Sequence, residues 1–207
     1  MGKTVIFGGT FNPVHTGHVE MATAAVAYPE VEELLVIPTR LPVHKHLGTD
    51  LVSGEHRMEM CRLAFGELPN VRFSDMELKS KEKNYSLTTV LGLKREFPKK
   101  DFAFLIGGDS LIHFNTWYEY RSLLKEIELY VFGRGSCSDE DFDNALKVLR
   151  GEGGHITVLG TKISNISSSE IRERIRAGKP LDELVASRVQ GYIKEQGLYL
   201  EVNAFDN

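Results

Sequence analysis

The chain reads as an α/β protein: a doubly wound, mainly parallel sheet with helices on both faces. Three observations predict this. Short, wholly apolar runs such as Val5-Ile6-Phe7 and Leu34 to Ile37 suit strands buried on both faces. Such runs alternate with stretches of helical period almost from end to end. The glycines, histidines and polar residues that stand out fall directly after the strand-like runs, where ligands sit in such folds.

The elements follow in order. The first strand stops at Gly8-Gly9. A helix from about His18 to Ala27 carries Val19, Ala22 and Val26 on one side, and Tyr28-Pro29 ends it. "ELLVIP" is a second strand closed by Pro38. Ser53 opens the helix "SGEHRMEMCRLAF", and "VRFS" is a short strand. "SLTTVLGLKREF" predicts a helix capped by Ser86, with Leu87, Val90, Leu91 and Phe97 turned inward. "FAFLIGGD" is a strand ending at Gly107-Gly108. "WYEYRSLLKE" is a helix, "IELYVFG" a strand, "DEDFDNALKVLR" a helix and "HITVLG" a strand. Two helices close the chain, Ser168 to Ala177 and Glu183 to Glu195, with Gly178 and Gly197 as stops. There is no internal repeat and no linker, so the expectation is one domain, 1–207, with 167–200 as a C-terminal helical segment.

Composition narrows the class. The 207 residues carry 25 Lys+Arg against 29 Asp+Glu, a formal net charge of -4. A mildly acidic chain is a poor general binder of nucleic acid, so any phosphate site must be local. Cys61 falls in a helix and Cys137 in a loop, which argues against a disulfide framework and for a reducing compartment. The N-terminus reads as a strand rather than a signal peptide, and no apolar run approaches the ~18 residues of a membrane span. The expectation is a cytoplasmic protein with neither nucleic acid nor membrane as partner; homo-oligomerisation is left open.

The stretch "GGTFNPVHTGH" carries the chemistry. Gly8 and Gly9 lack Cβ, so backbone there approaches a ligand closely. The N–H groups of Thr10 and Phe11 and the positive end of the following helix suit an anion. His15 and His18 add side-chain donors at the same spot. A lone loop histidine is usually just solvated; the pair directly after strand-Gly-Gly is what points to function. Neither G-x-x-x-x-G-K-[ST] nor G-x-G-x-x-G is present. Two histidines without further Cys or carboxylate partners do not make a zinc site, so no protein-held metal is expected. Far along the chain, "NISSSEIRERIRAG" reads as a capping box with Ser167 as N-cap and Glu170 three residues later. Ser168 and Arg172, four apart, share a helix face there and offer a second grip on phosphate.

These motifs resemble the nucleotidylyltransferase superfamily, with its H-x-G-H and I-S-S-T-x-[IV]-R-like segments. Within it the chain is most similar to the bacterial nicotinate mononucleotide adenylyltransferase family. "PTRLPVHK", "EHRMEMCRLA", "NYSLTTV", "LIGGDSL", "WYEYRSLL" and "GYIKEQGLY" resemble that family's segments in order, across essentially the whole chain. Asn12 stands where the family usually has Asp, Thr88 where it has another Asp, Ser86 for Thr and Val43 for Pro. The resemblance implies a Rossmann-like fold and adenylyl transfer from ATP to nicotinate mononucleotide, with Mg2+ entering on the ATP. It implies catalytic roles for His15, His18 and Arg172. Gly8, Gly9, Thr10, Phe11, Lys45, Arg134, Ser167 and Ser168 would bind ATP phosphates; Ser86, Asp109 and Trp117 would bind the nicotinate nucleotide. Each has a plainer reading: Asp109 as a helix cap, Trp117 as core, Lys45 as a solvated basic loop. Arg57 is a further candidate for the ligand, with a helix-surface charge as its plainer reading. Phosphopantetheine adenylyltransferase, a cytidylyltransferase and a non-catalytic nucleotide-binding module are the alternatives.

Overall fold

In the computed structural model, which describes residues 2–40, 50–133, 138–160, 164 and 166–200, the apolar runs pair into one sheet. Its strands are β1 (Lys3–Gly9), β2 (Val31–Pro38), β3 (Val71–Phe73), β4 (Asp101–Gly107), β5 (Glu128–Phe132) and β6 (Ile156–Val158). Their order is β3-β2-β1-β4-β5-β6, and every pairing is parallel. The order reverses between β1 and β4, so the crevice beyond their carboxyl ends is the switch point where such sheets bind ligands.

The helices are α1 (Thr16–Ala27), α2 (Gly54–Phe65), α3 (Met76–Lys79), α4 (Ser86–Glu96), α5 (Gly108–Ile112), α6 (Tyr120–Glu126), α7 (Asp139–Gly151), α8 (Ser168–Arg176) and α9 (Ser187–Glu195). The two-residue period of a strand divides them between two cores. Val5, Phe7, Leu34, Val36, Ala103 and Leu105 face one way and meet α1, α2, α8 and α9 through Ala22, Met60, Ile171 and Val189. Ile6, Leu35, Ile37, Phe104 and Ile106 face the other and meet α4, α6 and α7 through Val90, Leu123 and Phe142.

Several boundaries differ from the sequence expectation. α1 begins at Thr16 with His15 as its N-cap, so the first turn lies closer to the glycines. Tyr85, not Ser86, caps α4; Ser86 is its first residue. The buried arc of α4 runs through Leu87, Val90 and Leu93, which leaves Leu91 38% exposed at the margin. Phe97 lies past the last turn, 41% exposed, with Lys100 Nζ 5.5 Å from its ring centre. "WYEYRSLLKE" is helical only from Tyr120, because Glu119 adopts a left-handed φ of 51° that breaks the path from the 3-10 turn Phe114–Thr116. Glu183, with φ 65°, likewise delays α9 to Ser187.

Candidate active site

A cleft of about 550 Å³ lies over the switch point. Its floor is the end of β1 (Phe7, Gly8, Gly9, Thr10, Phe11) and of β4 (Ile106, Gly107). A Cβ at Gly9 would stand 2.9 Å from the Phe11 ring, and one at Gly8 3.2 Å from Phe104. Gly9 is therefore required first by the phenyl ring folded back on it. Phe11 has φ 50°, and its ring is 1% exposed against Phe7, Phe65 and His18. The ring belongs to the core, and backbone is what this residue offers the cleft.

His15 and His18 stand together at the head of α1. Their rings stack with centres 3.6 Å apart, and both line the cleft. The His15 N–H donates to His18 Nδ1 at 3.2 Å. That bond makes Nδ1 an acceptor and leaves the proton of the neutral ring on Nε2. The edge of Phe11 holds the His18 ring at 5.1 Å. The H-x-G-H spacing thus produces a ring pair on the first turn of a helix whose positive end faces the cleft. Asp109, on the first turn of α5, also lines the cleft and is exposed.

The C-terminal grip has a different geometry from the one its spacing suggests. Ser167 does cap α8, accepting from the Glu170 N–H at 3.1 Å. Ser168 lines the cleft, but its hydroxyl donates to the Pro13 carbonyl at 2.9 Å. Arg172 is 5% exposed. Its guanidinium donates to the Asn12 carbonyl at 2.9 Å, to Asp50 Oδ2 at 3.4 Å and to Ser169 Oγ at 3.3 Å. Both side chains hold the loop between Phe11 and His15, so they bear on the histidines through that loop. Asn12, 2% exposed, completes it: Oδ1 accepts from Val52 N–H and from the Tyr199 hydroxyl, and Nδ2 donates to the Asp50 carbonyl. An Asp in this place could not make that last bond.

Arg57 is not a surface charge. It is 1% exposed and donates to the carbonyls of Val52, Thr10, Thr39 and Arg40. Its position on α2, whose apolar face the sequence periodicity tracks only weakly, hid this.

At the other end of the cleft Ser86 sits on the first turn of α4, beside Asn84 and Tyr85. Trp117 lines the cleft and also packs: its ring stacks on Phe114 at 4.9 Å and meets Phe104 edge-on at 6.0 Å. The two readings of this residue are therefore not exclusive. Tyr118, its exposed neighbour, stacks on Tyr85 at 4.2 Å, and both line the cleft. Neither tyrosine was singled out from sequence; the aromatic pair Trp117-Tyr118 was the available signal. Glu77 also lines the cleft, accepting from the buried Thr89 hydroxyl at 2.6 Å. Thr88 is exposed and its hydroxyl turns back to the Tyr85 carbonyl. Lys45 and Arg134 lie outside the described residues, as do Val43 and Cys137. Among the described residues there is no cluster of three or more His, Cys, Asp or Glu side chains that could hold a metal ion, and no helix is long and apolar enough to cross a membrane.

A parallel sheet with an anion-seeking helix head at its switch point, and an aromatic-walled compartment beside it, defines a nucleotide-handling enzyme. Residues 6–174 match the family model described as cytidylyltransferase-like, and the chain belongs to that family. Among relatives, a protein of Carboxydothermus hydrogenoformans named "Probable nicotinate-nucleotide adenylyltransferase" is 35% identical over 95% of this chain and 98% of its own. One of the same name from Symbiobacterium thermophilum is 34% identical over 97% of this chain and 96% of its own. Within the family the chain stands among the nicotinate-nucleotide adenylyltransferases. A solved structure of Plasmodium falciparum nicotinic acid mononucleotide adenylyltransferase complexed with NaAD shares the fold, with a TM-score of 0.81 at 19% identity over 96% of this chain and 98% of that one.

Proposed function

We infer that this enzyme transfers the adenylyl group of ATP to nicotinate mononucleotide, giving nicotinate adenine dinucleotide and pyrophosphate for NAD biosynthesis. The observation that carries the reading is the division of one cleft. A stacked histidine pair at a helix head lies at one end, and a helix N-terminus with aromatic walls at the other.

The reaction needs no protein base. The nucleophile is a phosphate oxygen whose second pKa is about 6, so it is largely ionised at neutral pH. It attacks the α-phosphorus of ATP; the new P–O bond forms as the bond to the β-phosphate oxygen breaks, and pyrophosphate leaves with the electron pair. The difficulty is to bring two anions together and to stabilise the charge on the transferring group, which is a task for positioning and donors. His18 Nε2–H and His15 face that group, with the Gly9, Thr10 and Phe11 backbone beneath it. Arg172, Ser167 and Ser168 keep the loop carrying them in register, and Lys45 and Arg134 are assigned to the polyphosphate by their motifs. Asp109 accepts from ribose hydroxyls, Trp117 stacks on the pyridine ring and Ser86 donates to the nicotinate carboxylate. The substrate is MgATP, the cation riding on phosphate oxygens, as this ion commonly does.

The test is an acceptor panel: purified protein and MgATP with nicotinate mononucleotide or phosphopantetheine as acceptor, and CTP in place of ATP as a donor control, following pyrophosphate release. Release with nicotinate mononucleotide alone is expected. ATP binding without release from any acceptor would refute the reading.

A further inference from the structure

Arg57 is among the largest fully buried side chains of the described residues, and it is charged. Among the described residues no carboxylate lies within ion-pair distance of it. Its fork is satisfied by main-chain carbonyls instead: Nε to Val52 at 3.1 Å, Nη1 to Thr10 at 2.9 Å and Thr39 at 2.6 Å, and Nη2 to Arg40 at 3.2 Å. Burying a cation that meets no carboxylate among the described residues is costly, and here that cost is offset by the four main-chain acceptors. Burial indeed lowers the affinity of this guanidinium for its proton, although an arginine stays charged at neutral pH.

The carbonyls it holds are not arbitrary. Thr10 leaves β1 and Thr39 leaves β2, and one nitrogen joins them. The Thr39 N–H donates to the Gly9 carbonyl at 2.9 Å, so the two exits are stapled on both sides. In a trans peptide the carbonyl and the following N–H point in opposite directions. Pulling the Thr10 carbonyl down onto Arg57 therefore turns the Phe11 N–H away from the core. Phe11 itself is held in the left-handed region, a conformation that a non-glycine residue keeps only when its surroundings impose it.

We propose that Arg57 is a positioning residue for the polyphosphate end of the cleft: it aims the Phe11 N–H at the anion, and its charge, met by no carboxylate among the described residues, favours that anion. The proposal rests on the adenylyl-transfer reading for the identity of the anion, and its test uses pyrophosphate, which needs no acceptor.

Pyrophosphate binding is measured by calorimetry on the wild-type protein, Arg57→Met and Arg57→Lys, alongside KM for ATP and for nicotinate mononucleotide. Arg57→Met should bind pyrophosphate on the order of tenfold more weakly and raise KM for ATP by a like factor, with KM for the acceptor unchanged. Arg57→Lys keeps the charge without the planar fork and should recover only part of the loss. A folded Arg57→Met protein with wild-type affinity for pyrophosphate, altered only in melting temperature, overturns the proposal. Should neither variant fold, the wild-type nitrogen–proton spectrum decides. Pyrophosphate must shift both the Phe11 amide and the Arg57 guanidinium resonances, and a failure of either to move overturns the proposal equally. Wild-type protein that binds pyrophosphate but releases none from ATP with any acceptor would sink the adenylyl-transfer reading and leave this anion site standing.

Discussion

One hydrogen bond at His18 decides which of its nitrogens meets the substrate. With Nδ1 accepting from the His15 N–H, Nε2 is the nitrogen left to donate, and the ring enters the cleft already packed against Phe11. Removing one preorganised donor typically costs on the order of 10²–10³ in kcat. His18→Ala should lose that much with an unchanged circular dichroism spectrum; wild-type turnover in the folded variant would remove His18 from the mechanism. Tyr199 illustrates what a sequence conceals. Its hydroxyl, with a pKa raised by burial, donates to Asn12 Oδ1 across 187 residues of chain. Nothing local in "GLYL" announces that bond, whereas H-x-G-H announces itself through its spacing. Tyr199→Phe leaves Oδ1 one donor, the Val52 N–H, and should cost about 1 kcal/mol. In a chain of this size that is a fall of about 2–4 °C in melting temperature, read by calorimetry.

Elements were legible where composition and period agree, and blurred where a single backbone angle intervenes. The left-handed Glu119 and Glu183 break helices that the side-chain pattern alone would continue. In α8 the cap was visible in Ser167 and Glu170, but the target of Arg172 was not, because Asn12 and Asp50 reach it only in the folded chain. Arg172→Lys should therefore do two things at once. An ammonium cannot satisfy Asn12, Asp50 and Ser169 together, so melting temperature falls, and the freed loop lowers kcat. A stability loss with kinetics spared would make α8 purely architectural. At α4 the expected consequence is acceptor choice. Ser86 and the first-turn N–H groups of α4 face the cleft, and a carboxylate accepts from them with both oxygens. An amide would turn its own donors on them and leave buried groups unpaired, at about 1–3 kcal/mol each. Glu77 on the same wall works against a carboxylate, but one of its oxygens is engaged by Thr89. The ratio of kcat/KM for nicotinate over nicotinamide mononucleotide should exceed ten, and Ser86→Ala should lower it while Trp117→Ala weakens both acceptors alike. Equal wild-type values would refute this account of the compartment.

Across the whole molecule, alternation of strands and helices made the parallel sheet readable, but not the way the last forty residues return to the first twenty. Hydrogen bonds among the described residues make that return. Ser168 holds Pro13, Arg172 holds Asn12, Tyr199 holds Asn12, and the Leu184 and Glu183 carbonyls accept from the Thr16 N–H and hydroxyl. Beneath them Ile171, Val185, Val189, Ile193, Leu198 and Tyr199 are buried in the same core as Val5 and Phe7 of β1. At ~1.5–3 kcal/mol for each large apolar side chain, that burial is of the order of 10 kcal/mol, comparable with the ~5–15 kcal/mol by which whole domains are stable. The segment 167–200 should therefore not behave as an appendage, and 1–207 should melt as one unit. A chain ending at residue 166 uncovers the part of one core that α8 and α9 bury and frees the loop that carries His15. It should show no cooperative thermal transition and bind hydrophobic dyes, and ATP should not restore the transition because the histidine pair has lost its support. A soluble 1–166 fragment melting cooperatively within a few degrees of the full chain would show that the sheet stands without its C-terminal helices. Their contacts with residues 12–16 would then serve catalysis alone.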